Sequence, residues 1–260
     1  MRREYPVFWI ILVRTIQASG IAAAVHLVTS WPLTCPYALG LFLTAALCLY
    51  FVFVFVAPWS WGLPILNRLK TDEKVAVLTF DDGPSETTAT ILDCLHEHKA
   101  QAVFFVLGES VEHFPDLIRR MHAEGHTVGI HAWHHQSFVG LGRRRIAKEV
   151  RRTQEALKLA CPAARPAVWL RPPHGFKSLQ ALWFARAEGM TLVAWSDDSR
   201  DYADIDPASI ARRVLQKLRP GAIILLHDGP GNRATVDAVP LIMNSLQERD
   251  FSCVPLERDS

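Results

Sequence analysis

From residue 75 onward, short β-rich runs alternate with longer helical patterns, and this alternation restricts the possible folds more than any other feature of the sequence. Alternating strands and helices are typical of a parallel sheet covered by helices. The predicted strands are residues 75–80, 102–107, 127–132, 168–171, 191–195, 222–227 and 251–256. The predicted helices are residues 87–99, 111–124, 143–160, 178–188, 207–218 and 235–249.

Polar side chains at the strand ends favour a barrel over an open sheet. In a (β/α) barrel all strands end on one face, where active sites form. An open doubly wound sheet shares the local pattern but gathers only neighbouring strands at its switch point. We therefore expect an incomplete (β/α) barrel, with the open sheet as the alternative. The side chains at or just beyond the carboxyl ends of four different predicted strands are Asp81, Asp82, His131, Arg171 and His227.

The N-terminal part of the chain is apolar enough to predict a membrane anchor. Residues 38–57 form an uncharged apolar run of twenty residues, which is long enough to cross a bilayer as a helix. Residues 7–29 form a weaker candidate, because Arg14 is costly inside lipid. We therefore predict a membrane-spanning helical hairpin within residues 1–62, followed by a catalytic domain over residues 63–260.

Basic residues outside the two apolar runs predict the sidedness of this hairpin. Arg2 and Arg3 precede the first run, and Arg68 and Lys70 follow the second, whereas the segment between the runs carries no charge. By the positive-inside rule, both outer flanks lie in the cytoplasm. The expectation is a bacterial inner-membrane protein whose catalytic domain faces the cytoplasm.

Overall charge and cysteine content exclude other classes. A formal net charge of +2 is too small to indicate a nucleic-acid partner. The five cysteines are odd in number, scattered and without CxxC spacing, so they indicate neither a disulfide framework nor a thiolate zinc site.

Two adjacent carboxylates end the first predicted strand in the segment TFDDGP, residues 79–84. Adjacent strand residues point to opposite sides, so Asp81 and Asp82 are expected to have different roles. Taken alone, the motif is equally compatible with a surface turn.

A histidine cluster, HAWHH, follows the third predicted strand at residues 131–135. His131 and His135 are four residues apart and can present two imidazoles to one metal ion, although a pair of His131 with His134 is also possible. Two imidazoles and one carboxylate leave positions for water and substrate, as in hydrolytic zinc sites, and the same ligand set serves non-haem iron. These ligands alone do not choose the metal.

Further polar residues reach the same predicted rim in RPPHG (171–175), in WSDDSRDY (195–202) and in LLHD (225–228). Surface ion pairing explains any one of these segments. It does not explain five polar strand ends occurring together, so a single active site is the better interpretation.

TFDDGP, HAWHH, RPPHG, DSRDY and LLHD, in this order, resemble the five motifs of the polysaccharide deacetylase superfamily, carbohydrate esterase family four. The resemblance covers roughly residues 75–256. It implies a deformed (β/α)7 barrel and hydrolysis of an N-acyl group, most often acetyl, from an amino sugar.

The resemblance also implies a role for each motif residue. Asp82, His131 and His135 correspond to the ligands of a divalent metal, with zinc expected and cobalt, nickel, manganese or iron as alternatives. Asp81 corresponds to the general base and His227 to the general acid.

The same resemblance implies supporting roles for Arg171, which orients Asp81, and for Asp201, which holds His227 in its working tautomer. The sequence departs from the family pattern at Ala132, where a serine or threonine usually braces the loop, at His174, where tyrosine is common, and at Tyr202, where tryptophan is usual. These departures concern the substrate more than the reacting groups. Predicted substrate-binding residues are Pro173, His174, Tyr202 and Arg233.

A cytoplasmic domain would not meet cell-wall polymers, which favours a lipid-carried sugar. Residues 143–145, three arginines, and the stretch 227–242 are candidates to meet a phosphate near the membrane. This is similar to the family branch that deacylates polyprenyl-phosphate amino sugars for lipid A modification. The alternatives are a deacetylase of wall or exported polysaccharide, a catalytically decayed carbohydrate-binding protein, and an iron oxygenase, which would not need Arg171 or His227.

Overall fold

In the computed structural model of this chain, the described residues are 36–52, 65–175 and 178–257. The chain divides into two compact units, Met1–Ala57 and Pro58–Ser260.

The described part of the first unit is one helix, α1 (Pro36–Phe51), of sixteen residues. Among the helices of the described residues, none is both long enough and apolar enough to cross a membrane. The first predicted span, residues 7–29, and the end of the second, residues 53–57, lie outside the described residues.

The second unit contains a parallel sheet and the helices that cover it. Its strands are β1 (Ile65–Leu66), β2 (Val75–Asp81), β3 (Val103–Leu107), β4 (Thr127–Ala132), β5 (Trp169–Leu170), β6 (Thr191–Val193), β7 (Asp197–Asp198), β8 (Ala222–His227) and β9 (Ser252–Cys253). Its helices are α2 (Glu86–Glu97), α3 (Gly108–His113), α4 (Pro115–Ala123), α5 (Arg143–Ala160), α6 (Leu179–Ala187), α7 (Pro207–Lys217) and α8 (Arg233–Glu248).

The strand order is that of an incomplete barrel. Strands pair in parallel in the order β1-β6-β5-β4-β3-β2-β8-β7, and β9 adds to β2. The last long strand, β8, returns beside the first, β2, as barrel closure requires, and within the described residues the ring of pairings is open only between β1 and β7. This confirms the predicted (β/α)7-type domain over the open doubly wound sheet.

A side chain and a short backbone bridge span the opening of the ring. Arg68, two residues beyond β1, forms an antiparallel bridge with Ala222 at the start of β8. Its Nη2 donates to Oδ2 of Asp197 on β7 over 3.4 Å, and its Nη1 donates to the Pro220 carbonyl over 3.2 Å. A single arginine therefore links both sides of the opening.

Alternation along β2 explains how the core is divided. Val77 packs inside the barrel with Phe105 and Ile223, whereas Leu78 and Phe80 pack outward against the helices. Because successive strand residues point to opposite faces, Thr79 and Asp81 share the inward face of Val77. The strand that fills the barrel interior thus also delivers a carboxylate to its open end.

All seven predicted strands are present, though several are shorter than expected, and β1 and β7 were not predicted. The predicted helix 111–124 is two helices, α3 and α4, which meet at Phe114. Pro115 causes the break, since it has no N–H to donate within a helix but fits well at the first helical position, where it starts α4.

Candidate active site

Seven of the predicted site residues line one cleft of about 460 Å³ at the carboxyl end of the barrel, and five of them are the predicted metal ligands, base and acid. These five come from β2 and the turn after it, from β4 and the loop after it, and from β8. These five residues are Asp81, Asp82, His131, His135 and His227.

The strand pattern predicts that Asp81 and Asp82 point to opposite sides, but both side chains line the cleft. β2 ends at Asp81, and Asp82 adopts a left-handed backbone conformation with φ of 76°. That reversal turns the Asp82 side chain back into the cleft. Aspartate tolerates this conformation better than most residues, so both carboxylates enter one site with different neighbours.

Asp82, His131 and His135 bring one ligand atom each to within 4.8 Å of one another. Asp82 Oδ1 lies 3.4 Å from His131 Nε2 and 3.3 Å from His135 Nε2. This oxygen is buried and has no hydrogen-bond partner, and burial without a partner is costly. Two imidazoles and a carboxylate are a donor set that binds zinc and related divalent ions. The three residues therefore fit the metal that the sequence predicts.

The tautomer of His131 also suits ligation. Its Nδ1 lies 2.7 Å from the carbonyl oxygen of Arg171, which can only accept, so Nδ1 carries the proton. Nε2 therefore keeps its lone pair and faces Asp82. A ligand histidine that donates its other N–H to a carbonyl is a common feature of metal sites.

Burial sets the protonation of the three candidate ligands. It lowers the pKa of His131 and of His135, so both imidazoles tend to be neutral, as ligation requires. Burial raises the pKa of Asp82, an effect that the nearby His131 opposes. A cation at this point would offset the desolvation that disfavours the Asp82 carboxylate.

The alternative ligand pair, His131 with His134, is excluded by geometry. His134 turns out of the cleft, with its Nε2 3.9 Å from Glu109 and its Nδ1 3.8 Å from Glu149. His135 turns in, and its ring centroid lies 5.3 Å from that of His131.

Arg171 holds Asp81 from behind, as the family resemblance implies. Its Nη1 donates to Asp81 Oδ1 and to Thr79 Oγ1, both over 2.7 Å, and its Nη2 donates to the Ala194 carbonyl over 3.0 Å. The guanidinium is fully buried above the Phe105 ring, with 4.1 Å between Cζ and the ring centroid. Asp81 Oδ1 is thus fixed, and Oδ2, 4.0 Å from His131 Nε2, faces the cleft.

Asp201 holds His227 on the opposite side of the cleft. Its Oδ1 lies 2.7 Å from His227 Nδ1, and its Oδ2 accepts from the His227 backbone N–H and from Thr235 Oγ1, each over 2.7 Å. Burial works against protonation of His227, but the hydrogen bond and charge of Asp201, with the carboxylates of Asp81 and Asp82, raise its pKa to about 9. His227 is therefore protonated at neutral pH, with Nε2 as the free donor.

The predicted substrate-binding residues divide into two groups. His174 and Tyr202 line the cleft, and the His174 ring lies 4.3 Å from that of His135, whereas the Tyr202 ring lies 5.5 Å from that of His227. Pro173 and Arg233 do not line it. Pro173 is buried at the start of a short 3-10 turn, Pro173–Gly175, and Arg233 is the first residue of α8.

Five lining residues were not among the predicted site residues: Gly175, Trp195, Asp198, Leu225 and Asn232. Asp198 accepts from Tyr202 Oη over 3.2 Å and from the Arg200 N–H over 2.9 Å, so its carboxylate is held at the cleft wall. Its place in the acidic segment 195–202 was the available signal. The three arginines at residues 143–145 are exposed on the first turn of α5.

Comparison with known proteins identifies the family to which the chain is similar. The sequence profile described as polysaccharide deacetylase matches residues 68–193. A chitooligosaccharide deacetylase of Sinorhizobium fredii is 42% identical over 179 residues, which cover 68% of this chain and 83% of that protein. A peptidoglycan-N-acetylglucosamine deacetylase of Bacillus cereus is 35% identical over 183 residues, covering 69% of this chain and 66% of that protein.

Solved structures resemble the second unit closely. The crystal structure of the Bc1960 peptidoglycan N-acetylglucosamine deacetylase superposes with a TM-score of 0.72 at 31% sequence identity, covering 77% of this chain and 95% of that one.

Proposed function

This chain belongs to the polysaccharide deacetylase family, whose hydrolases act on N-acetyl amino sugars, and from that premise we propose that it is a metal-dependent deacetylase of an N-acetylglucosamine unit. The observation that carries the proposal is geometric. Asp82, His131 and His135 meet within 4.8 Å, and Asp81 and His227 line the same cleft.

A divalent metal held by Asp82, His131 and His135 would lower the pKa of water and polarise an acyl oxygen. Asp81 Oδ2 accepts the proton that the attacking water loses, while Arg171 prevents the carboxylate from turning away. The oxygen of this water forms a bond to the acyl carbon, which becomes tetrahedral.

His227 then completes the reaction. Its Nε2 donates a proton to the amide nitrogen as the carbon–nitrogen bond breaks, because an unprotonated amine leaves poorly. Asp201 keeps the proton of Nδ1 in place and stabilises the imidazolium before transfer. The products are a carboxylic acid, acetate for an acetyl group, and a free amino sugar.

The relatives support the sugar class. One is named a chitooligosaccharide deacetylase and the other a peptidoglycan-N-acetylglucosamine deacetylase, and both names describe removal of an acyl group from a nitrogen of a glucosamine-containing chain. The shared unit is N-acetylglucosamine, so oligomers of this sugar are the first substrates to assay.

The test is amine release from chitooligosaccharides by the purified full-length chain. We expect activity with zinc or cobalt, loss of activity after a chelator, and recovery when metal returns. Fully deacetylated oligomers serve as the control and should release nothing. Activity that persists in chelator, or a metal-loaded protein that binds the oligomers without releasing amine, would contradict the proposal, and the second result would favour a decayed, carbohydrate-binding protein.

A finer proposal concerns a lipid carrier and the side of the membrane. The apolar run 38–57 and the basic residues at both outer flanks support a sugar linked to polyprenyl phosphate at the cytoplasmic face. A reporter fused to the C-terminus should be active in the cytoplasm and silent in the periplasm. The reverse result would favour wall polysaccharide as the substrate.

A further inference from the structure

Residues 132–134 connect the two candidate histidine ligands, and side chains of α5 hold this connection. Oε2 of Glu149 accepts two consecutive backbone N–H groups, that of Trp133 over 3.2 Å and that of His134 over 3.0 Å. One carboxylate oxygen thus fixes the middle of the segment between His131 and His135.

Two further side chains on the same face of α5 reach the same segment. Thr153 Oγ1 donates to the Ala132 carbonyl over 2.8 Å. The Arg152 guanidinium lies over the Trp133 ring, with 3.6 Å between Cζ and the ring centroid. Residues three and four positions apart lie on one side of a helix, so Glu149, Arg152 and Thr153 form a continuous surface along residues 132–134.

Gly108, at the start of α3, closes the opposite side of the loop. A Cβ atom at this position would collide with the Trp133 ring and with Thr153 Oγ1. The loop is therefore confined between α5 and the start of α3, and small changes on either side must displace it.

We propose that Glu149 is a positioning residue for the metal site, a role that rests on the proposed function. Its carboxylate bonds neither to the substrate cleft nor to the candidate ligands. It holds the backbone N–H groups of Trp133 and His134, and these two residues determine the position of His135 relative to His131.

The burial of Glu149 supports this role over that of a solvated helix residue. Its side chain is only 17% exposed, whereas Glu155, six residues further along α5, is exposed to solvent. A carboxylate that accepts two backbone N–H groups makes charge-assisted hydrogen bonds, which are stronger than neutral ones.

The experiment measures zinc affinity of the full-length chain by competition with a chromogenic chelator. Glu149→Ala should raise the zinc Kd about 10-fold or more, as loss of groups that orient metal ligands commonly does. Glu149→Gln should stay within about threefold of wild type, because the amide oxygen can still accept both N–H groups. Glu149→Asp keeps the charge but is one methylene shorter, so it should weaken binding nearly as much as alanine does. Glu155→Ala is the matched control and should change nothing.

A second measurement separates positioning from general stability. Hydrogen exchange of the metal-free protein should show faster exchange in the peptide that contains Trp133 and His134 for Glu149→Ala but not for Glu149→Gln. Because this readout needs no metal and no substrate, it remains informative whatever the activity of the variants.

Three outcomes decide the proposal. A zinc Kd for Glu149→Ala within twofold of wild type would overturn it. Equal losses in Glu149→Gln and Glu149→Ala, with Glu149→Asp intact, would overturn it too, because charge and not hydrogen bonding would then matter. Failure of the wild-type chain to bind zinc would instead contradict the metal site, and so the proposed function itself.

Discussion

Two ion pairs, one fully buried and one partly buried, flank the candidate metal site, and they are built alike but control different properties. The arginine pair, Arg171 with Asp81, and the histidine pair, His227 with Asp201, each have a 2.7 Å contact. A threonine hydroxyl touches each pair. The arginine pair is sealed, with side chains 1% and 4% exposed, whereas His227 remains 14% exposed to the cleft.

The difference lies in the cation. A guanidinium does not lose its proton in proteins, so Arg171 fixes the position of Asp81 without taking part in any titration. An imidazole does titrate near neutral pH; burial lowers the pKa of His227, but Asp201, with the carboxylates of Asp81 and Asp82, outweighs burial and raises it to about 9. In the proposed mechanism, one pair therefore positions the base, and the other keeps the acid protonated.

The largest effect is expected from Asp81→Asn. An amide cannot accept the proton from water, so kcat should fall about 10²- to 10⁴-fold, the range that a general base contributes. Metal content, measured by atomic absorption, should stay near that of wild type because Asp81 is not one of the three ligands.

Asp82→Asn is the matched variant one residue further on. It should lose bound metal together with activity, since Asp82 Oδ1 is the candidate ligand atom that lies within 3.4 Å of Nε2 in both candidate histidine ligands. If Asp81→Asn loses the metal and Asp82→Asn keeps it, the two aspartates have been assigned the wrong way round.

Arg171→Met should have the next largest effect, which is a decrease in the free energy of unfolding. Removing one partner of a buried ion pair leaves the other charge uncompensated, which costs about 3 to 5 kcal/mol in free energy of unfolding. Urea denaturation of the metal-free protein measures this loss. The double variant with Asp81→Asn should recover part of it, and no recovery would mean that the arginine acts through Phe105 packing and not through the carboxylate.

The sequence predicted the partners in both pairs but not their geometry. Strand ends located Asp81, Arg171 and His227, because polar residues after buried strands are conspicuous. Alternation along a strand then gave the wrong direction for Asp82, since it assumes that the strand continues and the backbone instead turns left-handed at φ 76°.

Contacts between distant segments were beyond the reach of sequence patterns. Thr235 lies in α8 outside the five motifs, and Thr79 opens the TFDDGP motif without a predicted role, yet one touches Asp201 and the other Arg171. Glu149 likewise looked like an ordinary helix residue. Arg233 was predicted to bind substrate because it is a basic residue near a motif; it is the first residue of α8 and does not line the cleft, so its role stays a prediction.

Asp201→Asn should break the histidine pair without breaking the fold. The loss of charge lowers the pKa of His227, so the alkaline limb of kcat/KM, which we assign to deprotonation of His227, should move to lower pH. At its optimum kcat should fall about 10²-fold. Full pH–rate profiles of both proteins check this, and an unmoved limb would assign it to a group other than His227.

The same pair has a consequence for stability. A histidine whose folded-state pKa is raised stabilises the fold below its unfolded value of about 6.5, and that contribution disappears as pH rises through about 9. Wild-type unfolding free energy should therefore decline across this interval more steeply than that of Asp201→Asn. Equal slopes would mean that Asp201 does not perturb His227.

The smallest effects are expected from replacing the two threonines. They sharpen the comparison because neither should move the alkaline limb to lower pH, as Asp201→Asn does. Thr235→Val removes one donor to Asp201 Oδ2. The carboxylate then binds the His227 imidazolium more tightly, so the alkaline limb should stay in place or move slightly upward, opposite to Asp201→Asn.

Thr79→Val removes an acceptor from Arg171 and should cost about 1 to 3 kcal/mol of stability with no movement of the limb. If the alkaline limb moves to lower pH in Thr235→Val, or moves at all in Thr79→Val, then the histidine pair does not control protonation independently of the arginine pair.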